Sequence, residues 1–390
     1  LTPSIGQTEA MTRHDVPKTA LELRSTLTGD GVVTLGIEQF EVDDPTGSQV
    51  VIRVEAAPIN PSDQGMLFAM GDASRASAVV GTGLPAVAVP VSDGAVAGQR
   101  GRVDQPMPVG NEGAGTVVAA GPDPTAQALL NKVVGFLSGN AYAQYRTIDA
   151  SQCLVMQDGT DPADAAAAFV NPLTALGMIE TMKTEGHTAL VHTVGASNLG
   201  QILNRVCRAD GIGLVNVVRS QEHVDLLREA GADVVCNSSD ASFHNDLEDA
   251  LRSTGATIAF DAIGGGELAD TLLSAMERVA GEQADGFSRY GSDTHKQVYI
   301  YGGLDRGPTT LSRSYGMSWA LGGWLLTPFL HKIGKEAVDR LRTRVADEIT
   351  TTFAGSYGMV LSLEDAVDPE MVKRYAKMAT GDKALVTPQA

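Results

Sequence analysis

The chain has 390 residues, 43% hydrophobic and 19% charged, which excludes a disordered protein and is longer than one core ordinarily serves, so two domains are expected. Its formal net charge of -18, with no compensating basic run, argues against nucleic acid or an anionic membrane surface as partner and otherwise serves solubility. Cys153, Cys207 and Cys236 are scattered and form no C-x-x-C pair, which argues against a disulfide framework or a structural zinc and predicts a reducing, cytoplasmic location.

The first 25 residues are polar, mixed in charge and without an apolar core, so no secretion signal is predicted there; the first methionine is Met11. From about Thr28 to Ala150 short β-like runs alternate with turn residues. Val50–Ala57 ends at Pro58, Gly115–Ala120 stops at Gly121-Pro122, and Val133–Leu137 leads into Ser138-Gly139-Asn140. Such punctuation predicts a small, mostly β barrel. Past Pro162 the character changes. Ala163–Phe169 is alanine-rich and Leu173–Lys183 reads as helix.

Strand and helix signals then alternate. Strands are predicted over Thr188–Val194, Ile212–Val218, Asp233–Cys236, Thr257–Phe260 and Val298–Tyr301. Between them Leu199, Ile202, Leu203, Val206 and Cys207 fall at helical spacing, and Gln221–Ala230 is helical up to Gly231. This alternation predicts an α/β unit with a doubly wound parallel sheet. Glu282–Lys296 reads as a long surface loop. Tyr315–Leu330 is the most apolar stretch, but it holds Gly322, Gly323 and Pro328 and is shorter than the ~20 residues of a membrane span, so it predicts packing or a subunit contact. From about Thr352 the tail returns to β-like pieces.

One turn stands out. Val194-Gly195-Ala196-Ser197-Asn198-Leu199-Gly200 follows an apolar strand and opens an amphipathic helix. Small residues there let the backbone approach a pyrophosphate, and the helix N-terminus supplies unpaired N–H groups. The strict G-x-G-x-x-G is absent, and a tight strand-to-helix turn without a ligand uses the same residues. The next strand end adds information. Where an NAD site carries an acidic residue for the ribose 2′-hydroxyl, this chain has Arg219-Ser220, which suits a 2′-phosphate and therefore NADPH. Two later strand ends are also glycine-rich: Ile263-Gly264-Gly265-Gly266 and Tyr301-Gly302-Gly303. Glycines at three strand ends suit a long cofactor lying across them.

These stretches, with Ala57-Pro58-Ile59-Asn60-Pro61-Ser62-Asp63, Gly110-Asn111-Glu112-Gly113-Ala114-Gly115 and Asn171-Pro172-Leu173-Thr174-Ala175 in the same order, resemble the medium-chain dehydrogenase/reductase superfamily. The likeness is closest to its zinc-independent quinone oxidoreductase and enoyl reductase branch. It implies a GroES-like β domain over 1–170, a Rossmann NADPH-binding domain over 171–340 and a return to the first domain over 341–390, with the active site in the cleft between domains. It implies that Asn171, Thr174, Tyr301 and Gly302 lie by the nicotinamide and its ribose, and that Asn60 and Tyr142 line the substrate cleft. Tyr142 is the first candidate for a proton donor, with a core or rim aromatic as the alternative. Zinc members carry a cysteine near Ile59–Pro61 and a histidine where Asn111 stands, and neither is present here. The seven histidines, His14 among them, show no ligand spacing, so no metal is expected.

Without a metal to polarise an alcohol or aldehyde, hydride transfer is expected to go to an acceptor that is already activated. A quinone, or a C=C bond conjugated to a carbonyl, spreads the developing charge onto oxygen. The partner is then a small-molecule electron acceptor. An enoyl-thioester reductase is one alternative. However, the tyrosine that such enzymes place after Asn-Pro-Ser-Asp is missing from Gly65–Met70. A nucleotide-binding protein with a structural or regulatory role and no significant turnover is the alternative of another class. The apolar Trp319–Phe329 stretch, by resemblance, predicts a homodimer contact, with the lining of the pocket as the alternative.

Overall fold

In Val32–Glu41, buried Val33, Leu35 and Ile37 alternate with partly exposed neighbours, the period-two pattern of a strand with one face in a core. The computed structural model describes residues 16–390 apart from positions 82, 285 and 287, and divides them into two units. The first holds the described residues up to Val170 together with Arg344–Thr350 and Ala354–Ala390; the second holds Asn171–Thr343 and Thr351–Phe353. His14 and most of the polar N-terminal stretch lie outside the described residues.

The first unit has two sheets. One runs Ser77–Ala78, Ala86–Pro90, Val32–Glu41, Thr19–Leu27, Met107–Pro108, all antiparallel. The other runs Cys153–Val155, Val133–Leu137, Glu112–Ala120, Gln49–Pro58, Ala384–Val386, Met359–Leu361, with Tyr145–Asp149 also pairing with Gln49–Pro58. Thr19–Leu27 begins ahead of the β-like region read from the sequence. Its buried positions include Glu22 and Ser25, on opposite faces of the strand, and these polar residues hide the alternation. Glu22 is held there by ion pairs with Arg24 at 2.6 Å and with Arg146. Leu23 and Leu35 from one sheet and Val54, Phe136 and Val386 from the other share one core. Each such side chain contributes about 1.5–3 kcal/mol by leaving water. Where the sequence predicts a small β barrel, the unit has two sheets on a common core. The tail closes the second sheet, with Leu385 opposite Pro58 and Val386 opposite Ala57.

The second unit is built on six parallel strands in the order Val234–Asn237, Gly213–Val218, Ala189–Thr193, Ile258–Asp261, Lys296–Ile300, Trp319–Gly323. Ala189–Thr193 and Ile258–Asp261 are buried at every position, as expected of strands covered on both faces. Connecting helices Asn198–Asp210, Gln221–Glu229, Phe243–Thr254 and Leu268–Glu282 each turn an apolar stripe inward. The chain winds outward in one direction from Ala189–Thr193 and in the other from Ile258–Asp261. The switch point lies between those two strands, and ligands of such sheets bind at the carboxyl ends there.

Helix Val170–Thr184 starts ahead of Leu173, where the sequence placed it. Pro172 sits in the first turn, where its missing N–H costs no intrahelical bond. The loop after Glu282 is anchored at its far end. Ser292 N and Oγ donate to the two oxygens of Glu277 at 2.8 and 2.7 Å, and fully buried Lys296 pairs with the same carboxylate. The apolar Tyr315–Leu330 stretch divides its side chains. Tyr315, Trp324 and Phe329 are buried, and Trp324 Nε1 donates to Thr181 Oγ1 at 3.0 Å, whereas Met317 is 76% and Leu325 64% exposed. Among the described residues no helix is long and apolar enough to cross a membrane.

Candidate functional site

The glycine turn occupies the carboxyl end of Ala189–Thr193, at the switch point. Ser197 caps helix Asn198–Asp210, its Oγ accepting from Gly200 N at 3.1 Å. A Cβ on Gly200 would stand 2.2 Å from the Gly195 carbonyl oxygen, and one on Gly195 would stand 2.9 Å from the Asn216 side chain. Glycine is therefore required at both positions by contact alone. The first-turn amides of the helix, at Asn198 and Leu199, have no partner within the helix and carry its partial positive charge.

The other nucleotide-site candidates lie at neighbouring strand ends. Arg219 and Ser220 follow Gly213–Val218; Arg219 is exposed, and Ser220 caps helix Gln221–Glu229. Ile263 and Gly264 follow Ile258–Asp261, and Tyr301 and Gly302 follow Lys296–Ile300. Four adjacent strand ends, about 14 Å across at ordinary strand spacing, thus carry Arg219, Ser220, the Gly195–Leu199 turn, Ile263, Gly264, Tyr301 and Gly302. Asn171 and Thr174 are buried in the first turns of helix Val170–Thr184.

Two side chains that the sequence reading passed over organise these ends. Asp261 is fully buried, and its Oδ1 accepts from Thr193 Oγ1 and Ile263 N at 2.9 Å, while Oδ2 accepts from Gly264 N at 3.0 Å. Thr193 Oγ1 in turn accepts from Ala262 N at 2.8 Å. His192, one of the seven histidines without ligand spacing, is a core residue with a specific partner. Its Nε2 lies 2.7 Å from the Tyr301 hydroxyl, across the intervening strand. Burial pushes the His192 imidazole down to about 3 and the Tyr301 phenol up, so the pair is neutral. The spacing of neither Asp261 nor His192 signals this. Only the parallel register brings them to the same edge.

The first unit holds a different arrangement. Asp63, Glu112 and Asn60 are buried together. Asp63 Oδ2 accepts from Asn60 N and Oδ1 from Asn111 N, both at 2.8 Å. Glu112 Oε1 accepts from Asn60 Nδ2 at 2.8 Å, and Oε2 accepts from Phe169 N and Val170 N, each at 2.8 Å. Lys383 Nζ is enclosed near Glu112 and Asp63, with no hydrogen-bond partner among the described residues, and lies 5.5 Å from the Tyr357 ring centre. Burial raises the Asp63 carboxyl to about 7, a shift that its two amide donors oppose and the Glu112 charge reinforces. Burial also raises Glu112, against the pull of the Lys383 charge.

Tyr142 is fully buried, and its hydroxyl donates to the Pro58 carbonyl at 3.0 Å. Burial first, and the nearby Asp63 charge second, push its phenol well above the ordinary value. This is the placement of a core aromatic, the alternative named from the sequence. Leu67 and Phe68, which follow Asn-Pro-Ser-Asp, are likewise core residues, with Phe68 stacked on Tyr375 at 5.9 Å. Asn111, at the family's histidine position, donates through Nδ2 to Ser62 Oγ at 3.0 Å. Among the described residues no three His, Cys, Asp or Glu side chains are grouped as a metal site requires.

Comparison with known proteins agrees with this architecture. Residues 198–281 match the family described as zinc-binding dehydrogenase. The mitochondrial enoyl-[acyl-carrier-protein] reductase of Xenopus tropicalis is 27% identical over 214 residues, covering 53% of this chain and 53% of that protein. The chain thus aligns with about half the length of the curated relatives it matches. A protein from Mesorhizobium loti assigned as an NADPH:quinone reductase superposes with a TM-score of 0.70 at 25% identity, covering 96% of this chain and 99% of that one. A mycobacterial protein solved in complex with NADPH shares the fold, with a TM-score of 0.66 at 20% identity over 94% of this chain and 100% of that one. Together the matched segment, the near-complete structural superposition and the pairing of a β unit with a doubly wound parallel sheet place the chain in the medium-chain dehydrogenase/reductase superfamily.

Proposed function

We propose that the chain is an NADPH-dependent oxidoreductase that transfers hydride, without zinc, to a quinone or to a C=C bond conjugated to a carbonyl. The observation that carries this reading is the row of four strand ends at the switch point, with a glycine turn on one and Arg219-Ser220 in place of an acid on its neighbour. The residues present fit the cofactor. The Gly195–Gly200 backbone is free of side chains where a pyrophosphate would approach, and the following helix turns its N-terminus to the same end. Arg219 is exposed and available to pair with a 2′-phosphate, with Ser220 beside it.

When bound, NADPH supplies the hydride. The chain's part is to bind, orient and exclude water. Asp261 fixes the Ile263–Gly264 backbone, the neutral His192–Tyr301 pair fixes the strand end leading to Gly302, and Asn171 and Thr174 are the residues that would hold the nicotinamide and its ribose. Asn60 is the acceptor-side amide. Tyr142 is assigned to anchoring the Pro58 segment ahead of Asn60, not to proton donation, because its fully buried hydroxyl is held by the Pro58 carbonyl and the neighbouring Asp63 carboxyl.

Zinc independence is supported by the donor set: amides stand at 60 and 111, where ligands are needed. The segment matched to the zinc-binding dehydrogenase family begins at residue 198 and includes neither position. An enoyl-thioester substrate is the second reading, favoured by the enoyl reductase relatives. A homodimer is also proposed, because among the described residues Trp319–Gly323 pairs on one side only, with Lys296–Ile300, and exposed Met317 and Leu325 flank that edge.

Steady-state NADPH oxidation with 1,4-naphthoquinone, an enone and crotonyl-coenzyme A tests the proposal. Turnover with the first two supports it, and turnover with the thioester alone selects the second reading. NADPH binding with no oxidation by any acceptor would overturn both in favour of a non-catalytic nucleotide-binding role. Activity lost to a chelator and restored by zinc would remove the zinc-free mechanism. Tyr142→Phe is expected to leave the hydride-transfer rate unchanged.

A further inference from the structure

We propose that Glu112 is a positioning residue of the β unit: a single buried carboxylate that sets the orientation of the Asn60 amide and locks the Phe169–Val170 backbone, with Lys383 as its counter-charge. The inference rests on the reading of Asn60 as the acceptor-side amide.

Three bonds of 2.8 Å converge on this carboxylate, one from the Asn60 side chain and two from consecutive main-chain amides. An ionised carboxylate only accepts. It therefore holds Asn60 through Nδ2, while the oxygen of the same amide faces the Asp63 N–H in the capping box of this turn. The two amides open helix Val170–Thr184 immediately before Asn171, so the carboxylate also acts as a cap borrowed from a distant strand. Enclosing the charge has a cost, which is offset by the three donors and by Lys383, whose ammonium has no acceptor of its own. The other groups facing this cluster are Asp63, which carries the Asn60 and Asn111 amides, and the phenols of Tyr142 and Tyr357. None of these takes over the bond to Asn60 Nδ2.

The test exchanges the polarity of that bond. Glu112→Gln sets an amide N–H against Asn60 Nδ2, and Asn60→Asp sets two carboxylates together, so each single variant is expected to slow hydride transfer to 1,4-naphthoquinone by about tenfold or more. In the double variant the glutamine amide donates to the aspartate, and the rate is expected to return to within about threefold of the original. Melting temperatures are recorded for all four proteins, because a purely structural role predicts recovery of stability without recovery of rate. Amide exchange at Phe169 and Val170, read on the protein with no acceptor added, is expected to accelerate by about tenfold or more in Glu112→Ala, with Glu112→Gln as the milder comparison should the alanine variant not fold. A double variant that regains its melting temperature but not its rate would overturn the proposal. So would a Glu112→Gln protein with the original rate, or unchanged protection of the two amides. A wild-type protein with no turnover would remove the enzymatic reading instead, and leave the exchange data to decide on Glu112.

Discussion

The two units place polar atoms in opposite ways. At its strand ends the parallel unit works through main chain: glycines at 195 and 200, first-turn amides after Ser197, and one buried aspartate devoted to the Ile263–Gly264 backbone. Its one discriminating charge, Arg219, stands in solvent. Around Asn60 the β unit instead encloses two carboxyls and an ammonium, and the carboxyls hold side chains and amides in fixed orientations. A site made of backbone tolerates little added bulk but is indifferent to pH. A site made of buried carboxyls has room for isosteric change, but its stability depends on protonation.

The sharpest way to break this contrast is at Gly200. Gly200→Val drives a side chain into the Gly195 carbonyl, and we expect about 3 kcal/mol of lost stability together with loss of NADPH binding, measured by denaturant unfolding and by NADPH fluorescence. Next comes the pH dependence of the β unit. The Asp63 carboxyl is raised by burial from 3.8 to about 7, so between those values the unfolded chain is ionised while the folded one holds its proton. Its contribution is complete below about pH 4, falls as pH rises and is gone above about pH 7, a change on the order of a few kcal/mol. Asp63→Asn is expected to flatten that part of the stability–pH curve, and an unchanged slope would assign the dependence to other groups. Asp261→Ala, which frees three donors at a buried strand end, is expected to cost about 2–3 kcal/mol and to weaken NADPH binding, measured by denaturant unfolding and NADPH fluorescence. The smallest effect is expected at Arg219. Arg219→Ser should raise the dissociation constant for NADPH by about tenfold and leave that for NADH unchanged. Equal losses for both cofactors would show that the arginine does not read the 2′-phosphate.

The same contrast explains what could be read from the sequence. The parallel unit was legible because each of its signals is local: an apolar run, a glycine turn, a helical stripe, repeated in order. The strands and helices expected there fall within a few residues of their predicted places, and the strand-end candidates come out side by side because the sheet order makes them neighbours, but the sixth strand, Trp319–Gly323, and helices Phe243–Thr254 and Leu268–Glu282 were not among the expected elements. The β unit was legible as a class but not in detail. Thr19–Leu27 was obscured by Glu22 and Ser25, whose burial depends on partners such as Arg146 far along the chain. Asp63, Glu112 and Lys383 come from three distant segments, and no spacing rule joins them. Tyr142 shows the limit most clearly. A tyrosine beside a glycine turn suits a cleft as well as a core, and only the Pro58 carbonyl next to its hydroxyl distinguishes the two.

The strand Ala384–Val386 lies inside its sheet, between Gln49–Pro58 and Met359–Leu361, and not at the rim. This has a consequence for the protein's synthesis. The parallel unit is nearly continuous in sequence and can fold while translation proceeds, whereas the β unit must keep an open sheet edge, and Glu112 without its counter-charge, until Lys383 and Val386 have left the ribosome. A nascent chain stalled shortly before Lys383 would therefore carry a folded parallel unit beside an unfinished β unit, open to protease and to chaperone capture at Gln49–Pro58.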